Sequence, residues 1–156
     1  MPVWRLCRAV HAAEAFSGEG ARRFGGRWNS RGVPVVYAST SLALAAIELF
    51  VHIEPNQAPG DLVYLSAELP EDEPMRVIEP ARLPAGWQAD ESLTRSLGDA
   101  WIQEAATLAL RVPSVPIPPD WNVLINPRHP RAGEIRVDAP RPFVFDARMF
   151  ALRAGV

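Results

Sequence analysis

Short apolar runs closed by proline or glycine limit what this chain can fold into. "PVWRLCRAV" (2–10), "VPVVYAS" (33–39), "GDLVYLSAELP" (60–70), "MRVIEP" (75–80), "LALRVPS" (108–114), "WNVLINP" (121–127), "EIRV" (134–137) and "FVFDARMF" (143–150) are each long enough for one short strand. Only two stretches have helical composition: "STSLALAAIELFVHIEP" (39–55) and the first part of "SLTRSLGDAWIQEAATLALRV" (92–112). Strands and helices do not alternate regularly, so a doubly wound parallel sheet is excluded. The expected class is α+β: a single compact domain over 1–156 with short mixed or antiparallel strands and a few helices. "HAAEAFSGEGARRFGG" (11–26) reads as a glycine-rich loop with a short helical turn at "AAEAF". "LPAGWQ" (83–88) and "PSVPIPP" (113–119) read as loops. Pro34 belongs at a strand start.

In the first long helix Ser39 or Thr40 is the expected cap, Pro55 the limit, and Leu42, Ala46, Leu49 and Ile53 the buried stripe. Asp99 is the expected cap of the second.

The 156 residues are 48 % hydrophobic with a net charge of -2, which excludes general disorder. A domain of this length buries roughly two thirds of its unfolded surface, enough for a core and a pocket. Cys7 is the only cysteine and reads as a small buried hydrophobe. With three scattered histidines it makes no metal site. No apolar run approaches the roughly 18 residues of a membrane span, and the N-terminus lacks a signal-peptide pattern. A cytoplasmic location without membrane contact is expected.

All 16 basic residues are arginine, unevenly spread. Residues 1–31 carry six Arg and two acids, residues 32–110 three Arg and twelve acids, and residues 111–156 seven Arg and four acids. The two basic ends can converge on one anion-binding face or be ordinary surface. A broad nucleic-acid surface needs a larger basic excess. The densest cluster is "RRFGGRWNSRG" (22–32), which fits a basic patch, a phosphate loop or a solvated turn. It matches no known glycine loop, but a flexible backbone beside Arg27 can present a guanidinium fork to an anion. Phe24 and Trp28 can cover a flat ring.

Glu48 is the only charge between Leu42 and Val51. It faces solvent at the helix edge or lines a cavity, and in a cavity it must be paired or hydrogen-bonded. His52, four residues on, is expected on its face. Tyr37, at a strand end before a helix start, occupies a common place for pocket residues. Ser114 leaves another strand after Pro113. It lacks the surroundings of a hydrolytic nucleophile and reads equally as a turn serine.

"GGRWNSRGVPVVYAS", then "SLALAAIEL", then "RVPSV" and "NVLINPRHP" together resemble the RES domain. Arg5 and "FDARMF" extend the likeness over nearly the whole chain. The arginine, glutamate and serine for which that family is named match Arg27, Glu48 and Ser114. The resemblance implies a fold like that of ADP-ribosyltransferases and the toxin component of a bacterial toxin–antitoxin pair. It implies NAD+ as substrate rather than resident cofactor, with water, inorganic phosphate or a protein as acceptor, and no metal. In that reading Glu48 supports the cleavage. Arg5 and Arg27 grip the phosphates, Tyr37 and Ser114 contact the nicotinamide–ribose side, and Asn126 helps to position it. The implied partner is an Xre-like DNA-binding antitoxin whose C-terminal part fills the cleft, in a complex that contains a homo-oligomer of the toxin.

Overall fold

The structure is a computed structural model and describes residues 1–54 and 57–151. Among these, eight strands form one mixed sheet. The strands are β1 (Pro2–Arg8), β2 (Val36–Ser39), β3 (Leu62–Glu68), β4 (Met75–Val77), β5 (Ala109–Pro113), β6 (Trp121–Ile125), β7 (Arg136–Val137) and β8 (Arg141–Pro142). The sheet order is β4-β5-β6-β2-β1-β3-β7, with β8 also on β3. Only β4–β5 is parallel. The expected α+β class with mixed short strands is what the chain adopts.

The helices are α1 (Glu19–Phe24), α2 (Leu42–Phe50) and α3 (Glu91–Glu104). Strand alternation sorts the core. Val3, Val36, Ala38, Ala67, Ala109, Val123 and Ile125 form one cluster on one face. On the other face Leu110, Val112 and Leu124 pack with Trp28, Trp87 and the α3 residues Trp101 and Ile102. On that same face Leu6 and Leu62 pack with Ala45 and Ala46 of α2. The pairing Trp4↔Ser39 carries the face across from β1 to β2. Both long helices therefore cover one side, α2 over β1–β3 and α3 over β5–β6, and β2 lies between them.

Several expectations shift for identifiable reasons. Neither Ser39 nor Thr40 caps α2, because both hydroxyls bind β6: Ser39 Oγ donates to Asn122 Oδ1 and Thr40 Oγ1 to the Trp121 carbonyl. Ser41 is the cap, its Oγ accepting from Leu44 N at 3.1 Å. The fully buried residues of α2 are Leu44, Ala45 and Ala46, while Leu42 is only half-buried. The alanines let the helix lie close to the sheet. The expected limit at Pro55 falls outside the described residues. α3 begins before Asp99 and is capped by Asp90, whose carboxylate accepts from Leu93 N at 3.0 Å. Ala105, at φ 50°, ends it.

The glycine-rich segment holds more structure than a loop. A 3-10 turn covers Ala9–Glu14, shortening the first strand, and α1 follows between left-handed Gly18 and the positive-φ Gly25. Glu19 accepts from both Arg22 and Arg23 there, so two arginines of the basic cluster are internally paired. "FVFDARMF" is not a strand. The ladder stops at Pro142; Phe145 and Phe150 pack on Phe50 of α2, and Phe143 packs edge-to-face on Phe145.

Candidate active site

Glu48 is half-buried on the flank of α2 that looks toward β2 and β6. Its Oε1 accepts two hydrogen bonds, from Ser114 Oγ at 2.7 Å and from Asn122 Nδ2. Its Oε2 accepts none from the described residues. Glu48 is therefore hydrogen-bonded while only half-buried, between the two placements the sequence allows. Ser114 is fully buried just beyond β5, and its Oγ also accepts from Ile117 N at 3.1 Å. Asn122 lies opposite both Ser39 and Val112 in the ladders. Ser39, Asn122, Ser114 and Glu48 thus form one polar cluster between the two helices.

Two residues up β2, Tyr37 projects from the same face as Ser39. Its hydroxyl accepts from Trp28 N at 2.9 Å and donates to Asn29 Oδ1 at 2.7 Å. Burial pushes the phenol well above its usual range, so it is a neutral donor. A Cβ on Gly26 would stand 2.6 Å from that hydroxyl, so the close approach requires glycine. Asn29 is fully buried, and its Nδ2 donates to the carbonyls of Ala21, Ser30 and Val33. Tyr37 is therefore committed to holding the loop that carries Arg27.

The same loop is gripped from its other side by α3. Arg95 Nε donates to the Gly26 carbonyl at 2.9 Å and Thr94 Oγ1 to the Arg27 carbonyl at 2.6 Å. Gly98 backs directly on the Trp28 carbonyl. Asp99 accepts from Ser30 N and Ser30 Oγ at 2.9 and 2.6 Å. Contacts from four α3 residues, at Gly26, Arg27, Trp28 and Ser30, fix the backbone of this segment. The Arg27 side chain is less constrained: Nη1 donates to the Gln88 carbonyl at 2.7 Å, and Nη2 is 3.9 Å from Glu91, which is itself bound to Arg95.

Arg5 occupies the seam between β1 and β2. The two strands share one register position, against seven between β1 and β3. Arg5 Nη1 donates to the Tyr37 carbonyl at 2.7 Å, and Nε is buried without a partner. Burial lowers its pKa, Cys7 being the only opposing influence, and no carboxylate among the described residues pairs with it. Burying a guanidinium without a carboxylate partner is costly, and an anionic acceptor would offset that cost.

Arg27, Tyr37, Glu48 and Ser114 thus lie on the helix-covered side of β2, β6 and β5, and Arg5 reaches this set only through the Tyr37 carbonyl, from the β1–β2 seam. Asn126 is not part of this set. It lies at the other end of β6 from Asn122, roughly 13 Å along the strand. Its backbone N donates to the Leu108 carbonyl and its Oδ1 accepts from Arg128 N. His52 is exposed beyond the end of α2 and does not continue the face of Glu48. Sequence reasoning missed Ser39, Asn122 and the α3 contacts. One signal for Asn122 was present: a polar residue two positions before Leu124, on the inward parity of an otherwise apolar strand.

The family model of the RES domain matches residues 2–146. The chain is 39 % identical over 152 residues to the Prs ADP-ribosylating toxin of Sphingobium sp. (strain YBL2), covering 94 % of each protein. It is 39 % identical over 155 residues to Toxin Res of Pseudomonas putida, covering 96 % of this chain and all of that one. It is 31 % identical to Toxin Res of Yersinia enterocolitica, with 96 % and 99 % covered. The toxin–antitoxin complex MbcT–MbcA of M. tuberculosis contains a chain that shares the fold, with a TM-score of 0.72 at 19 % identity, over 90 % of this chain and 82 % of that one. The chain belongs to the RES domain family, the family of the Res toxins.

Proposed function

We propose that this RES-domain chain is a toxin that cleaves the nicotinamide–ribose bond of NAD+. The observation that carries the reading is Glu48, with one carboxylate oxygen fixed by two donors and the other open. When the N-glycosidic bond breaks, its electron pair neutralises the pyridinium nitrogen and nicotinamide leaves uncharged. The ribose C1′ acquires positive charge, which a fixed carboxylate stabilises as it develops. Water, inorganic phosphate or a protein side chain then supplies the new bond to C1′ and gives up a proton. Arg5, a buried cation without a counter-charge, suits the pyrophosphate. Arg27 joins it by exchanging the Gln88 carbonyl for a phosphate oxygen, a charge-assisted and stronger acceptor.

The roles of Tyr37 and Ser114 change in this account. Both hydroxyls are engaged within the protein, so Tyr37 shapes the pocket wall and Ser114 orients Glu48. Asn126 takes no part.

A second reading differs only in the acceptor. One 39 % identical relative carries the name ADP-ribosylating toxin, which favours transfer to a protein. Labelled NAD+ separates the two: free ADP-ribose, or its phosphate adduct with a phosphate-dependent rate, marks degradation, and label kept on a protein marks transfer. An antitoxin completes the proposal, Xre-like and seated in the cleft, in a complex with more than one toxin copy in the cytoplasm. Co-expression with the neighbouring gene, followed by co-purification and loss of activity, tests that partner.

A further inference from the structure

Glu48 is on a helix, whereas the groups that bind it come from the sheet. That division raises the question of what sets the direction of its free oxygen. A carboxylate accepts only, so Asn122 must turn Nδ2 toward Glu48 and Oδ1 away from it. Oδ1 then needs a donor, and Ser39 Oγ, buried on the adjacent strand, supplies one at 2.7 Å. Ser39 and Asn122 are register partners in the β2–β6 ladder, and Asn122 pairs with Val112 of β5 on its other side. The amide is therefore anchored in the middle of the sheet and donates along the line Ser39, Asn122, Glu48. Ser114 is bound in the same way, between Ile117 N and Glu48. Both sheet-derived donors converge on Oε1.

We propose that Asn122, backed by Ser39, is a positioning residue: with Ser114 it holds Oε1 of Glu48 so that Oε2 is the oxygen offered to the sugar of the substrate. The proposal deepens the NAD+ reading and rests on it for the identity of the substrate. The role assigned to Asn122 is in orienting Glu48 and not in gripping the substrate: its Oδ1 is taken by Ser39 and one Nδ2 hydrogen by Glu48. Removing Asn122 leaves Oε1 to Ser114 alone, so the carboxylate turns more freely while the pyrophosphate grip proposed for Arg5 and Arg27 stays intact. The loss belongs in turnover, not in binding.

The test combines kinetics with a readout that needs no activity. In the purified chain, Asn122→Ala and the near-isosteric Asn122→Asp should each lower kcat by about 10- to 100-fold, the scale of an ångström-sized misplacement. KM for NAD+ should stay within about threefold, since binding contacts are untouched. Ser39→Ala should cost less, about 3- to 10-fold in kcat, because the amide keeps its bond to Glu48. Thermal melts confirm that each variant is folded. In 1H–15N spectra the Asn122 side-chain amide signals should move in both Glu48→Gln and Ser39→Ala. If these signals move in neither variant, the relay does not exist, whatever the kinetics show. If Asn122→Ala raises KM at unchanged kcat, Asn122 binds substrate and the positioning role is overturned. If the signals move but the wild-type chain leaves NAD+ intact, the relay stands and the NAD+ reading is what fails.

Discussion

Replacing Gly98 with alanine tests how α3 holds the Arg27 loop. A Cβ at position 98 would stand 1.7 Å from the Trp28 carbonyl oxygen, where Cβ atoms essentially never come within 3.0 Å. The helix and loop must part by about 1.3 Å, and neither side is a flexible side chain that could move alone. The bonds of Thr94 to the Arg27 carbonyl and of Asp99 to Ser30 stretch with that movement. Overpacking of this kind costs about 1–3 kcal/mol, and weakening the two neighbouring polar contacts adds about 1 kcal/mol each. Alanine's better helix propensity returns about 1 kcal/mol. The net loss is about 2–4 kcal/mol, which for a chain of this length lowers Tm by about 5–15 °C. Gly20 is the internal control. It lies in α1, and a Cβ there meets nothing within 4 Å. Gly20→Ala should stabilise by about 0.5–1 kcal/mol. Urea and thermal melts of both variants read the difference. A Gly98→Ala protein as stable as wild type, or shifted upward like Gly20→Ala, would refute the close-contact reasoning. NAD+ turnover should fall by about 10²-fold in Gly98→Ala if its displaced loop carries Arg27 away by about an ångström.

Three more outcomes are expected. Arg5→Met should leave the free protein as stable as wild type or more so, because it removes a buried charge with no counter-charge, and should raise KM for NAD+ at least about tenfold; unchanged KM refutes the anion role. Arg27→Ala should weaken NAD+ binding, read by calorimetry, by about 2 kcal/mol through loss of a charge-assisted contact, with little change in Tm because the loop is held by its backbone; unaltered affinity removes Arg27 from the phosphate grip. Glu19 is held at about 2, against an ordinary 4.5, first by its hydrogen bond from Arg22 and then by Arg23. Its folded value is the lower, so its contribution is complete above about pH 4.5 and is lost as pH falls toward 2; acid unfolding of Glu19→Gln should be less steep across that window, and an identical profile contradicts the assignment.

The strands and α2 were legible because their signals are local. Alternation and the run "LALAAIELF" do not depend on what lies across the sheet. Glu48 stood out for the same reason, as a lone charge in that run. The α2 cap is not legible because Ser39, Thr40 and Ser41 are equivalent locally. Only the pairing of β2 with β6, distant in sequence, draws the first two hydroxyls away. The role of Asp99 is not legible for a related reason: its partner Ser30 lies 69 residues away, so a loop-binding carboxylate resembles a helix cap. α1 is hidden by its glycines: Gly18 and Gly25 bound it, and Gly20 lies inside without breaking it. Arg27 could be chosen on composition and resemblance, but the four-point grip of α3 on its loop leaves no periodic trace. The last segment lost its strand because the aromatics that suggested β structure pack on α2 instead.

The most direct test of the central claim is a time course of NAD+ with the purified chain, wild type beside Glu48→Gln, with products resolved by mass. The amide keeps the shape of Glu48 and removes the charge that faces the developing cation. Wild type should release nicotinamide together with ADP-ribose or an ADP-ribosyl adduct, and Glu48→Gln should be slower by about 10²-fold or more at an unchanged Tm. Nicotinamide release by Glu48→Gln at the wild-type rate, or none from wild type freed of antitoxin, would contradict the account.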